Sequence, residues 1–149
     1  SIGRFFGVSD TQIMDAIQYY APNNQRSQVK MIGNNTIIAD YYNANPTSMK
    51  APIENFMMIT SSEKVAILGD MFELGDFSMD EHEKMINLCK EYQIETYFIG
   101  NQFYKFKNDP SHFYESVEQF KLVFETLQWK QKTILVKGSR GVHLEKLFE

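Results

Sequence analysis

The sequence predicts an α/β fold, and three observations lead to that prediction. Short apolar runs lie at 65–68, 96–99 and 133–136, and a stretch of helical character precedes each one. The runs are continuously apolar rather than alternating, which indicates strands covered on both faces. Strands that alternate with helices pair in parallel through right-handed crossovers. We therefore predict a Rossmann-like three-layer sandwich with a mostly parallel sheet and an N-terminal β-hairpin.

The first predicted element is an amphipathic helix near the N-terminus. Residues 1–8 contain two adjacent phenylalanines and no cap, and we interpret them as the end of a preceding domain's helix or a linker, with the domain itself over 9–149. Ser9 supplies an N-cap, and apolar residues recur at helical spacing as far as Pro22. A helix is therefore predicted at about 9–20.

A hairpin and further helices follow along the chain. Gly33 and its two asparagine neighbours tolerate positive φ, and they separate two short apolar segments that lead to Asp40, which is typical of a hairpin. Pro52 removes a backbone donor from the first following helix, where we expect a kink. The polar and aromatic stretch 101–109 has no clear period and predicts a loop. Helices are predicted at about 46–60, 78–92, 114–128 and 142–147.

Composition and charge exclude several classes of function. The 149 residues suit one domain, and 43% hydrophobic with 23% charged residues is the balance of a globular protein. The net charge of -4 is interspersed, which makes nucleic acid an unexpected partner. No apolar run is long enough to span a bilayer, and no signal peptide is visible. Cys89, the single cysteine, is expected to be a buried thiol in the cytoplasm.

The first polar stretch after a predicted strand reads DYYNANP and runs from Asp40 to Pro46. Ligands of open α/β sheets bind beyond the carboxyl ends of the strands, so this loop is a candidate site. In a structural interpretation, Asp40 and Asn43 form turns and Asn45 caps the next helix. In a functional one, the helix start favours phosphate, Asp40 orders a magnesium-bound water or a ribose hydroxyl, and Tyr42 covers a sugar or base. The local pattern leaves both open.

Two more polar stretches follow apolar runs. In LGDMFELG, glycines bracket Asp70 and Glu73, which are either solvated loop charges or contacts to a cationic or hydroxylated substrate group. In VKGSRG, Lys137, Ser139 and Arg140 form either an exposed basic loop or a grip for a carboxylate or phosphate, with Arg140 bidentate. Neither stretch decides between the two interpretations by itself.

Some catalytic motifs are missing from the sequence. It contains no GxxxxGK[ST] phosphate loop, no GxGxxG fingerprint and no Ser/His/Asp or Cys/His arrangement. The chain alone therefore lacks the machinery of an ATP-using enzyme, and no catalytic residue is assigned. His82, His112 and His143 have no partners at metal-ligand spacing, so we expect them to be structural or solvent-facing and predict no metal site.

Taken together, the three polar stretches resemble one family in their order and spacing. DYYNANPTSM resembles the D-[SAY]-YNANP-x-SM segment of the Mur ligases that add D-Ala-D-Ala. LGDMFELG and ILVKGSRG match the later LGDMxELG and xLVKGSRx segments of that group. The first two forms separate this group from other Mur ligases. The resemblance covers nearly the whole chain and is to the C-terminal domain of such a ligase.

The resemblance implies a cytoplasmic enzyme of peptidoglycan biosynthesis, with a role in cell-wall biogenesis, cell shape and cell division. Such ligases use ATP and Mg²⁺ to activate UDP-N-acetylmuramoyl-tripeptide (UDP-MurNAc-tripeptide) as an acyl phosphate, which the amine of D-Ala-D-Ala attacks. The N-terminal domain binds the UDP-sugar, and the central domain makes most of the contacts to ATP and Mg²⁺. The C-terminal domain closes over them and excludes water. This fragment alone is expected to be inactive.

The resemblance also implies roles for single residues. The residues implied to bind nucleotide are Arg26, Asp40, Tyr42, Asn43 and Asn45. The residues implied to face the peptide substrates are Asp70, Glu73, Lys137, Ser139 and Arg140. Gln25 stands where the family's Gly-Arg motif, matched here by Arg26, has a glycine. Lys137 and Arg140 suit the dipeptide carboxylate or the charge of the acyl phosphate.

Two other interpretations stay open. The chain could be a stand-alone Rossmann-like regulatory or protein-binding module without ligase activity, although the retained Asp40, Tyr42 and Asn45 argue against this. It could also be a folylpolyglutamate synthetase or a cyanophycin-type enzyme, which share the layout of the domain. Those enzymes carry a shorter DGAHNP-like segment.

Overall fold

The computed structural model describes residues 2–18, 28–61, 63–107 and 112–149. The strands, numbered along the chain, are β1 (Gln28–Ile32), β2 (Asn35–Asp40), β3 (Lys64–Gly69), β4 (Glu95–Ile99), β5 (Phe113–Tyr114) and β6 (Thr133–Lys137). The α-helices are α1 (Ile2–Phe5), α2 (Asp10–Gln18), α3 (Pro46–Met58), α4 (Ser78–Glu91), α5 (Asn101–Tyr104) and α6 (Val117–Phe124). Short 3₁₀ helices cover Gly75–Phe77, Arg140–Val142 and Leu144–Phe148.

The described strands form one sheet in the order β1-β2-β6-β3-β4-β5. β1 and β2 form an antiparallel hairpin, and its turn contains Gly33 with φ of +58°. In the rest of the sheet, from β2 through β6, β3 and β4 to β5, every pair of neighbouring strands is parallel. The predicted hairpin and mostly parallel sheet are therefore confirmed, and the three predicted apolar runs are β3, β4 and β6.

The sheet separates two hydrophobic layers. Ala66 and Leu68 of β3 pack with side chains from α3, α4 and α5. Val65 and Ile67 of the same strand pack with α6 and with the C-terminal 3₁₀ helix. This alternation is the consequence of a strand whose successive side chains point to opposite faces. The three-layer sandwich is confirmed, and Cys89 is buried in the first layer as expected.

The predicted loop over 101–109 is wrong at Asn101–Tyr104, which form α5. The carboxylate of Asp70 accepts bonds from the backbone N–H groups of Gln102 at 2.9 Å and Phe103 at 3.0 Å. A distant side chain thus satisfies the first turn of this helix, and no local sequence pattern reveals such a cap.

Other predicted boundaries change in smaller ways. The helix predicted at about 114–128 is shorter, because Ser116 caps it with a bond from the Gln119 N–H at 3.3 Å and the preceding pair forms β5. The helix predicted at about 142–147 is two 3₁₀ helices, because His143, with φ of +60°, interrupts it. Pro52 lies inside α3, which continues through it to Met58. Among the described residues, no helix is long and apolar enough to cross a membrane.

Candidate functional site

The candidate site lies along the edge where the parallel strands end. In register, Asp40 at the end of β2 lies opposite Lys137 at the end of β6. Lys137 lies opposite Leu68 of β3, and Gly69 at the end of β3 lies opposite Ile99 of β4. Parallel pairing therefore brings the loops of all three motifs to one edge, the usual place for ligands in this class of sheet.

Lys137 connects the first and third motifs. Its side chain is buried, with 1% of the residue exposed. The ammonium donates to Oδ2 of Asp40 at 2.8 Å, to the carbonyl of Asn43 at 3.1 Å and to the carbonyl of Asp40 at 3.5 Å. A buried ammonium needs such acceptors to offset its lost hydration. Lys137 is therefore occupied in fixing the loop that follows β2.

Ser139 connects all three motif loops. Its backbone N–H donates to the carbonyl of Asp70 at 3.0 Å. Its hydroxyl accepts from the N–H of Phe72 at 3.0 Å and donates to the carbonyl of Ala44 at 3.4 Å. One buried side chain thus fixes the relative positions of the loops after β2, β3 and β6.

Gly69 and Gly138 allow the exits of β3 and β6 to come close together. A Cβ atom at Gly138 would lie 2.9 Å from the Cα of Gly69 and from a methyl of Leu144. A Cβ at Gly69 would lie 3.1 Å from side-chain atoms of Val142 and Leu144. These glycines serve close backbone packing at the site edge rather than positive φ.

Asp70 is buried, and its carboxylate is engaged within the fold. Besides capping α5, it lies against Gly100, where φ is +126° and any Cβ would clash with the carboxyl group. Burial raises the pKa of Asp70, although the N–H donors of Gln102 and Phe103 oppose that shift. The side chain that the motif places beside a ligand therefore ties the end of β3 to the segment after β4.

His82 supports the same loop from α4. Its Nε2 accepts the backbone N–H of Met71 at 3.0 Å, so the ring proton resides on Nδ1, which donates to the carbonyl of Ser78 at 2.6 Å. Burial lowers the pKa of His82. Nε2 lies 3.6 Å from Oδ1 of Asp70, but the neutral ring has no proton to share there. The expectation of a structural histidine is confirmed at this position.

The outer layer of the edge carries the exposed groups. Arg140 is exposed, and its guanidinium carbon lies 5.6 Å from the centre of the Tyr42 ring, which is partly exposed. Asn43 and Glu73 are also exposed, and Glu73 has a left-handed backbone with φ of 63°. These side chains can meet a ligand from outside, whereas Lys137, Ser139 and Asp70 are buried.

The start of α3 faces the same edge. Oδ1 of Asn45 accepts the N–H of Ser48 at 2.9 Å, and the Ser48 hydroxyl accepts the N–H of Asn45 at 2.9 Å, which forms a capping box. Pro46 occupies the first turn. The structural interpretation of Asn45 is confirmed, and the amide nitrogen of its side chain lies outside this box.

The described residues do not form a metal site of their own. No group of three histidine, cysteine or carboxylate side chains among them lies close enough to hold an ion. Asp40 is the carboxylate at the end of β2, and Lys137 already pairs with one of its oxygens. Arg26, the remaining residue implied for nucleotide binding, lies outside the described residues.

Sequence reasoning missed part of this arrangement. It left Asp70 and Lys137 as either exposed loop charges or contacts to a ligand, but both are buried, through contacts with α5 and with the loop after β2 that lie far along the chain. Gly100 was not singled out, because its conformation is required by Asp70, thirty positions earlier. Polar residues at the ends of buried strands are the signal that did locate the edge.

A protein-family model matches most of the chain. The family model described as "Mur ligase, glutamate ligase domain" matches residues 25–140. A UDP-N-acetylmuramoyl-tripeptide--D-alanyl-D-alanine ligase of Rickettsia prowazekii is 32% identical over 130 residues, covering 83% of this chain and 29% of the relative. The ligase of the same name from Bacillus subtilis is 32% identical over 157 aligned residues, covering 97% and 34%. The chain therefore spans about a third of the length of these relatives.

Solved structures show the same fold. MurF from Acinetobacter baumannii superposes with a TM-score of 0.76 at 26% identity, covering 96% of this chain and 34% of that one. The MurF ligase from Thermotoga maritima, solved in complex with ADP, gives a TM-score of 0.74 at 23% identity, covering 99% and 34%. At that lower identity the likeness is one of fold.

Proposed function

Because this chain belongs to the Mur ligase family through its glutamate ligase domain, we propose that it is the C-terminal domain of an ATP-dependent ligase that joins D-Ala-D-Ala to UDP-MurNAc-tripeptide. Relatives that carry this name at 32% identity support the assignment. Residues 1–8 would end the central domain or the linker from it, and 9–149 form the C-terminal domain. The product would be a peptidoglycan precursor made in the cytoplasm. This domain alone would be inactive.

The observation that carries the proposal is the connection of the three motif loops at one strand-end edge. Buried bonds from Ser139 and Lys137 hold the loops together, while Arg140 and Glu73 face outward. Preorganised charge at an edge open to a partner domain suits a surface that closes over reactants.

The nucleotide contacts would come from the loop between β2 and α3. Tyr42 and Asn43 are accessible for a ribose or base, and the amide nitrogen of Asn45 can donate at the start of α3, where the helix dipole favours phosphate. Arg26 would reach the ATP phosphates or ribose. These assignments rest on the family motif together with the accessibility of the three side chains.

The central domain would hold Mg²⁺, because the described residues lack a ligand cluster of their own. When bound with ATP, the ion would offset phosphate charge. Asp40 would contribute through an ordered water at most, since Lys137 pairs with its Oδ2. The chain's own part is to keep that carboxylate in place at the rim of the nucleotide.

The substrate contacts would come from the loops after β3 and β6. Arg140 is exposed and can pair with a phosphate or carboxylate. Lys137, Ser139 and Asp70 would act by positioning these loops, because their polar groups are already bonded within the fold. In the reaction, the neutral amine of the dipeptide forms a bond to the acyl carbon and gives up a proton, while the carbon–oxygen bond to phosphate breaks and inorganic phosphate leaves. Closure would keep water from competing for that carbon.

A chimera tests the proposal. The first two thirds of the Bacillus subtilis ligase would be joined to this chain, and ADP release would be measured with UDP-MurNAc-tripeptide and D-Ala-D-Ala. We expect dipeptide-dependent ADP release that falls at least tenfold in Arg140→Ala and in a combined Asp40→Ala, Asn45→Ala variant. Lys84→Ala, on the exposed side of α4, is the matched control and should not change the rate. A folded chimera without dipeptide-dependent release would favour the stand-alone binding module.

A further inference from the structure

A pocket lies beside the second motif loop, which follows β3, and the contacts described above do not involve it. The loop after β3, the start of α4 and the segment after α5 enclose a volume of about 460 Å³. Its lining includes Phe72, Glu73, Leu74, Asp76, Met79 and Lys105. We call this space the loop pocket. Its size lies within the range of small-molecule sites.

Charges of opposite sign lie on different elements of the loop pocket. Glu73 belongs to the loop after β3 and Asp76 to the 3₁₀ helix that follows it, and both are exposed. Lys105 follows α5 and is exposed too, and its ammonium donates to Oε1 of Gln102 at 2.7 Å. Because that bond uses one of three ammonium hydrogens, Lys105 keeps donors for a ligand. The pocket therefore offers acceptors from one side and a cation from another.

Apolar side chains complete the walls. Phe72 is 44% exposed and Met79 is 41% exposed, and both contribute to the lining with the partly buried Leu74. Exposed apolar groups between charges of opposite sign are suited to a small molecule that has methyl groups between two charged ends. A nucleotide or sugar diphosphate fits less well, because two carboxylates would repel its phosphates.

We propose that the loop pocket receives the incoming D-alanyl-D-alanine as a zwitterion, with its carboxylate at Lys105 and its ammonium at Glu73 and Asp76. The inference rests on the proposed function, since that function supplies a dipeptide with one charge at each end. The methyl groups of the dipeptide then lie against Phe72, Leu74 and Met79. Lys105, Asp76 and Met79 lie outside the three motif segments, so the pocket adds a specificity site.

The kinetic test uses the Bacillus subtilis chimera and two acceptors, D-alanyl-D-alanine and its C-terminal amide. Lys105→Ala should raise the KM for the dipeptide at least tenfold and leave the KM for ATP within twofold. With the amide, which has no carboxylate, the variant and the parent should have equal KM values. Lys107→Ala, two positions on and with its ammonium 4.2 Å from the Tyr104 ring, is the matched control. An equal loss with both acceptors would overturn the role of Lys105.

A second test needs no ligase activity and so separates this inference from the proposed function. The chain itself would be titrated with D-alanyl-D-alanine to tens of millimolar while backbone amide signals are followed by NMR. Shifts should concentrate at residues 72–79 and 102–105 and should be lost in Lys105→Ala and Glu73→Gln. Shifts confined to other loops, or no shifts in the folded parent, would overturn the pocket assignment even if the chimera is active.

Discussion

The ammonium of Lys137 lies 2.8 Å from Oδ2 of Asp40, directly across the register of two neighbouring parallel strands. Asp40 keeps part of its carboxylate accessible, with 18% of its side chain exposed, whereas the Lys137 side chain is 2% exposed. The pair therefore joins the first and third motifs below the surface and leaves part of the Asp40 side chain exposed. It explains why a lysine that looks like a ligand contact in the sequence is needed inside the domain.

Lys137→Met should lower the free energy of unfolding by about 3 kcal/mol, because it removes one partner of a buried pair and leaves the carbonyl of Asn43 without its donor. Urea denaturation of the chain measures this. Lys84→Ala removes an exposed ion pair with Glu81 and should cost much less than Lys137→Met. Equal losses in the two variants would show that the buried pair has no special contribution.

Gly100→Ala should destabilise the domain by more than about 2 kcal/mol. The residue has φ of +126°, and a Cβ atom would clash with the Asp70 carboxylate that caps α5. Gly75 offers a matched control, since its φ is +53° but no atom lies within 4 Å of a Cβ built there. Gly75→Ala should cost only about 1 kcal/mol for its backbone conformation. Thermal or urea unfolding of both variants tests the difference.

Stability should fall on mild acidification because of His82. Burial lowers the pKa of His82 in the folded chain from its usual 6.5, so the unfolded chain binds the proton more readily and protonation favours unfolding. The free energy of unfolding should therefore decrease as the pH falls below about 6.5.

Comparison with His82→Gln isolates this contribution between pH 7 and about pH 5. The raised pKa of Asp70 acts in the opposite direction, since its stabilisation is lost as the pH rises through that pKa, and both proteins retain the burial that is its largest cause. The decrease measured by urea unfolding should be smaller in the variant. Parallel curves for the two proteins would exclude His82 as the titrating group.

Asn45→Asp separates capping from nucleotide binding. Aspartate keeps the side-chain oxygen that accepts the Ser48 N–H at 2.9 Å, so the free energy of unfolding should stay within about 0.5 kcal/mol. The change replaces the amide donor with a negative charge beside the proposed phosphates. In the chimera, the KM for ATP should rise severalfold while the KM for D-Ala-D-Ala stays constant. An unchanged KM for ATP would show that Asn45 caps α3 but does not contact the nucleotide.

The sequence predicted the parts of the fold that local patterns determine. The apolar runs that became β3, β4 and β6 are continuous because both faces of each strand are buried, and Asn45 with Pro46 is a local helix start. By contrast, β5 has only two residues, too few for any periodicity to be seen. α5 depends on a cap from Asp70, which is remote in the chain.

The sequence predicted which edge of the sheet carries the candidate site. It did not predict which of the polar side chains there are buried and which are exposed. Polar residues after buried strands identify the edge, because parallel strands end together. Whether a given charge faces a ligand or the interior depends on contacts between loops. Lys137 meets the carbonyl of Asn43, and Ser139 meets the N–H of Phe72, only after the sheet has formed.

The most direct test of the ligase assignment is the mass of the product formed by the Bacillus subtilis chimera. The reaction would contain ATP, Mg²⁺, UDP-MurNAc-tripeptide and an equal mixture of D-Ala-D-Ala and D-Ala. The assignment predicts a dipeptide-dependent product heavier than the tripeptide precursor by one D-alanyl-D-alanine unit, with stoichiometric ADP. A chimera with a native circular dichroism spectrum that yields only unmodified precursor would contradict it.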